Sequence, residues 1–99
     1  MTAIIWKFGL NVNDSVAIKM PIGARILCVQ TQNGAPQIWA LVDPLAPQID
    51  RNLRIVGTGH EFEYDPLGTY IGTFQLPGLG LVFHAFDQGE SGTGYTQIN

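Results

Sequence analysis

Apolar residues recur at every second position over short stretches of this chain, and turn residues separate one stretch from the next. Alternation of that kind lines one face of a β-strand, whereas a helix needs apolar positions at i, i+3, i+4 and i+7. No window of about 11 residues keeps the helical spacing free of Gly or Pro. The pattern predicts strands over Ile4–Phe8, Val16–Met20, Arg25–Gln32, Gln37–Val42, Leu53–Gly57, Thr69–Leu76 and Leu79–Phe86. The expected fold is all-β: a small, mainly antiparallel sandwich or barrel-like domain of about seven strands, without substantial helix.

The punctuation between strands supports this order. "TQNGAPQ" carries an Asn-Gly step, in which both residues tolerate positive φ, so the third and fourth strands should form a hairpin. "QLPGLG" does the same for the last two, with Pro77 and Gly78 suited to a type II turn. The two prolines of "DPLAPQIDR" predict a loop, and the acidic stretch "HEFEYDPLG" links the fifth strand to the sixth. The Gly/Ser/Thr-rich end "DQGESGTGYTQIN" reads as a mobile tail or as an arm that orders on a neighbour. The expected division is one β domain over residues 1–87 and a flexible tail over 88–99.

Composition changes the picture in one respect. The 99 residues are 45% hydrophobic and 13% charged, about half the usual charged fraction. Alternation also fails locally, since "RILCVQ" and "GLVFHAF" are apolar on both faces. A second copy is the simplest cover for such faces, so the expectation is a homo-oligomer. A net charge of −3, with Lys7, Lys19, Arg25, Arg51 and Arg54 scattered along the chain, argues against duplex nucleic acid as a partner. No run approaches the ~18 apolar residues of a membrane helix. Cys28, the only cysteine, lies in an apolar run, and no disulfide framework or Cys/His metal spacing can be built from it. Neither a metal nor a cofactor is expected.

Taken together, "IWKF", "MPIGARILCVQTQNG", "IWALVDP", "GTGH", "YIGTFQL" and "LVFHAF" resemble a family of short phage and prophage proteins of unknown function, from Ile5 to about Phe86. The resemblance implies a phage origin and a β-rich domain; since "MTAIIWKFGL" reads as a strand rather than a signal peptide, the expected place is the cytoplasm of the infected bacterial host. It implies no catalytic residues. Small phage proteins of other families sequester nucleotide immune signals, and by analogy that role is a candidate here.

Among residues that carry chemistry, "RNLRIVGTGHEF" stands out. Gly57 and Gly59 would let the backbone around Thr58 turn its N–H groups onto an anion, with Thr58 and His60 adding side-chain donors. Arg54, within the strand run, is preferred to Arg51 as the phosphate fork. The plainer alternative is a turn or bulge that the glycines merely permit. Trp6, Trp39, Tyr70 and Phe74 are candidate base-stacking rings, though strand aromatics are more often core. Trp39 is singled out because Ile38, Ala40 and Val42 line the opposite side of its strand. Gln30 and Gln75 are candidate readers of a ligand's polar edge. His84, flanked by Phe83 and Ala85, reads first as a buried neutral imidazole. The expected ligand-binding set is therefore Arg54, Gly57, Thr58, Gly59, His60, Trp39, Gln30 and Gln75.

No complete catalytic motif is present, and the favoured reading is a binding protein that holds a small anionic ligand, most plausibly a nucleotide-derived signal. Two alternatives stay open. One is a structural or accessory phage protein; the other is a small hydrolase using His60 or His84, with Asp43 or Glu61 as the acid.

Overall fold

The computed structural model describes residues 2–63 and 66–91. They form seven strands: β1 (Ile4–Gly9), β2 (Ser15–Pro21), β3 (Arg25–Gln32), β4 (Ala35–Val42), β5 (Gln48–Gly57), β6 (Thr69–Leu76) and β7 (Leu81–Glu90). All pairings are antiparallel, in a three-stranded sheet of order β1-β4-β3 and a four-stranded sheet of order β2-β5-β7-β6. The inner faces meet in a sandwich only 16 Å thick between Cα extremes. Val29 and Ile38 from one sheet bury against Leu53, Ile55, Phe74 and Ala85 from the other. A second cluster, Met20, Ala24, Ala40 and Val42, fills one end.

Both expected hairpins form. Asn33 (φ 52°) and Gly34 (φ 81°) are the two central residues between the paired Gln32 and Ala35, the signature of a type I′ turn. In the β6–β7 connection, Leu79 N–H donates to Leu76 C=O and Gly78 takes a positive φ after Pro77, as a type II turn requires.

Most strand ends fall within two residues of expectation, with β4 starting at Ala35 rather than Gln37 and β7 at Leu81 rather than Leu79; two boundaries differ by more. The residues Gln48–Arg51, expected as loop, open β5 and, with Asn52, pair with β2 from Pro21 back to Ala17. The prolines of that loop, Pro44 and Pro47, stop just short of the strand. β7 runs on to Glu90, so the first three residues of the expected tail are sheet, and Ser91 N–H donates to Asp50 C=O. The rest of that segment, 92–99, lies outside the described residues.

The two-faced appearance of "RILCVQ" has a local cause. A bulge between Ile26 and Cys28 inserts Leu27 as an extra residue, so Ile26 and Val29 both turn inward while Leu27 and Cys28 face out. Beyond this, the β3 and β6 edges abut along one seam. Thr31 Oγ1 donates to Gln75 C=O at 2.6 Å, and a Cβ at Gly72 would stand 3.0 Å from Val29 Cγ1.

Candidate functional site

β5 carries both arginines, on opposite faces. Arg51 shares the inward side with Leu53 and Ile55, at the end of the sandwich, where its charge needs a partner. It has one: Arg51 Nε and Nη2 donate to Asp87 at 2.9 and 2.7 Å, and Nη1 donates to Ala24 C=O. The Asp87 hydrogen bond, outweighing burial, holds Arg51 above its ordinary value. Burial alone would raise the Asp87 carboxyl, but bonds from Arg51 and the Gly89 N–H hold it below the usual carboxylate range.

Arg54 points outward and is differently placed. Its guanidinium lies 5.8 Å from the Phe62 ring centroid, a cation–π distance. Among the described residues its Nε is buried without a hydrogen-bond partner, and the ion pairs involve Lys19 and Arg51 instead. Around it, Asp14, Val56, Gly57, His60, Glu61 and Phe62 line a cleft of about 50 Å³. That space exceeds the share of one water and suits a single oxyanion group rather than a whole nucleotide.

The Gly57–His60 segment is a closed turn. His60 N–H donates to Gly57 C=O, Thr58 N–H donates to Val82 C=O, and Gly59 takes φ 82°. Two of the turn's three amides are thus committed to backbone carbonyls, and the convergent set of N–H groups expected from the glycines does not form. Gly57 has a separate role. A Cβ there would stand 2.6 Å from the His60 ring, so the missing side chain is what seats the imidazole against β5.

His84 is not the isolated core histidine expected. On the outward side of β7 its Nε2 lies 2.7 Å from Thr58 Oγ1 and its Nδ1 lies 2.9 Å from Thr73 Oγ1. Thr73 in turn contacts the Tyr70 hydroxyl. Four polar side chains therefore form one hydrogen-bonded chain from just beyond β5, across β7, to β6. Among the described residues the hydrogen-bond partners of His84 are hydroxyls, while Asp43 accepts from Leu45 N–H within its own turn, so these two do not form an acid-paired histidine. Among the described residues, no three His, Cys, Asp or Glu side chains cluster as metal ligands.

The remaining candidates separate. Gln30 and Gln75 come together across the β3–β6 seam in an open groove of about 460 Å³ that Thr73 also lines. Trp39 faces out from the other sheet, between Lys7 and Cys28, away from the Arg54 cleft. Phe74 is core, stacked on Phe83, and Trp6 packs edge-on to Phe8 beside the second cluster. Thr73, Phe62 and Phe86 belong to the Arg54 face without having been singled out. Period-2 spacing from His84 marks Phe86 as outward, but nothing local in the sequence ties Thr73 to His84, 11 positions away.

Comparison with curated proteins and with solved structures gives no match. A family model described as a domain of unknown function, DUF7352, matches residues 1–95, and the chain belongs to that family.

Proposed function

We propose, starting from membership of a family whose description assigns no activity, that the protein binds a small anionic ligand at the Arg54 cleft and holds it without chemical change. One observation carries this reading: a partly buried arginine with no ion-pair partner among the described residues, fixed over Phe62 beside His60. Among the described residues no carboxylate pairs with this guanidinium, and an oxyanion bonded to it would gain about 1.5–3 kcal/mol. Asp14 and Glu61 line the same cleft and offer acceptors, which suits a ligand with hydroxyl or amino groups beside its anion. In its most specific form the proposal is a phage-encoded, self-associating protein that sequesters a nucleotide-derived immune signal in the host cytoplasm. The motif resemblance supports the origin, and the cleft supports the anion.

A thermal-shift screen against nucleotides, cyclic dinucleotides and ADP-ribose derivatives tests it. A ligand at 100 times its Kd should stabilise the fold by about 2.7 kcal/mol. Arg54→Gln should weaken binding about 10- to 150-fold, the value of a charge-assisted bond, and added salt should weaken the wild type. A ligand that binds Arg54→Gln as it binds wild type would remove the site.

A second reading, assembly alone, has its own support. The outer face of β1-β4-β3 presents Ile5 at 54% and Leu27 at 42% exposure, with Trp39, Leu41 and Cys28 between them. Light scattering would favour this reading if the protein self-associates and no anion in the screen raises its melting temperature.

A further inference from the structure

Tyr70 is 55% exposed, yet its hydroxyl is tied to Thr73 on its own strand. A tyrosine held at its tip while most of its ring stays in water has a fixed orientation and an open face. The register places it in a cross-strand row with Phe86 and Arg54, and the rings of Tyr70 and Phe86 stand 5.6 Å apart. The adjacent row holds Val56, His84 and Thr73, and Thr58 extends it beyond β5.

Proton counting shows what the hydrogen-bonded chain from Thr58 to Tyr70, which links the two rows, can offer. Thr58, His84, Thr73 and Tyr70 make three hydrogen bonds among themselves. The three hydroxyls and the imidazole carry at least four protons for three bonds whichever tautomer the ring takes, so at least one donor is left over, together with unused hydroxyl lone pairs. This hydrogen-bonded chain therefore presents a donor and acceptors side by side, next to an aromatic ring. Arg54 lies two strand spacings from Tyr70, about 10 Å. An inorganic anion would use the arginine alone, and a plain apolar ring would use only Tyr70. A ligand that joins an anionic group to a planar ring with a donor–acceptor edge would use the whole face.

We infer that the outer face of β5, β7 and β6 takes a mononucleotide-type ligand: its base lies against Tyr70, the base edge meets the Thr73–His84–Thr58 row, and a phosphate reaches Arg54. The inference rests on the anion reading of Arg54 and adds the part of the ligand that the row would read. A single outward arginine on this face and a net charge of −3 favour a short nucleotide over a nucleic-acid strand.

The test is calorimetric titration of the full chain with the four ribonucleoside monophosphates, their nucleosides, pyrophosphate and a short single-stranded oligonucleotide. Wild type is compared with Tyr70→Leu, Tyr70→Phe, Thr73→Val and Arg54→Gln, after melting curves establish that each variant folds. At least one nucleotide should bind about 5- to 140-fold more tightly than pyrophosphate, the value of one stacked base. Tyr70→Leu should bring that nucleotide down to the affinity of pyrophosphate, and Tyr70→Phe should keep most of the difference. Thr73→Val should reorder the preference among bases. If no base improves on pyrophosphate, or if Tyr70→Leu binds nucleotides like wild type, the inference fails, while Arg54-dependent pyrophosphate binding would leave the anion site standing. If neither pyrophosphate nor any nucleotide binds in an Arg54-dependent way, both fail. Oligonucleotide binding with a salt dependence worth several phosphates would overturn the mononucleotide assignment.

Discussion

Replacing Gly57 by alanine would place a methyl carbon 2.6 Å from the His60 ring. Because His60 is exposed, the ring can swing away, and stability should fall by less than about 1 kcal/mol. Anion affinity should fall more clearly, since the cleft loses one wall; melting and titration on the same Gly57→Ala sample separate the two effects. Gly68 makes the contrast. It has φ 103°, and an added Cβ would collide with the Asp87 backbone carbonyl, which cannot swing, so Gly68→Ala should be the more destabilising change. At this scale the sequence was legible only in part. It favoured Arg54 over Arg51 for its place in a strand run, but the stronger physical ground is Asp87, 36 positions from Arg51 and invisible to local pattern. The two glycines of "GTGH" look like one device in the sequence, whereas Gly59 supplies the left-handed turn residue and Gly57 makes room for a ring.

Strand bounds were legible where alternation was strong and failed where a distant charge pair anchors the backbone. Gln48–Asn52 and Gln88–Glu90 are polar stretches, and they are sheet because Arg51 in the first meets Glu90 in the second and Asp87 just before it. Asp87 binds a proton less readily in the folded chain than in the unfolded one. Its contribution is therefore complete above the ordinary carboxylate value of about 3.9 and is lost as pH falls through the lower folded value. Asp87→Asn should cost about 2 kcal/mol near neutral pH, and its difference from wild type should shrink below about pH 4. Urea melts at a series of pH values from about 7 to 2 would check both. A difference that stays constant on acidification would show that Arg51 does not depend on the carboxylate.

For the whole molecule, thinness decides how much apolar surface can be hidden. A sandwich 16 Å thick has one inner layer, and the outer face of β1-β4-β3 keeps Ile5, Leu27 and Trp39 outside it. Burial of roughly 800 Å² per copy would make a stable pair through that face. Ile5→Lys with Leu27→Lys should then give a monomer by light scattering while the fold persists. Trp39→Ala should cost less than the about 3–5 kcal/mol of a core tryptophan and leave anion binding at Arg54 unchanged, which melting and titration would show. The all-β class and the hairpins could be read from period and turn residues. The division into two sheets could not, because β1 and β2 alternate alike, yet one pairs with β4 and the other with β5. That division has a kinetic consequence. Only β3–β4 and β6–β7 join strands adjacent in sequence; β1–β4, β2–β5 and β5–β7 each close a long loop before any contact rewards it. Refolding should therefore be slow for so short a chain, on the order of milliseconds to seconds. Stopped-flow experiments should find that a substitution in the Asn33-Gly34 turn changes the folding rate less than one that weakens the β2–β5 pairing, because the barrier lies in joining distant strands rather than in making hairpins.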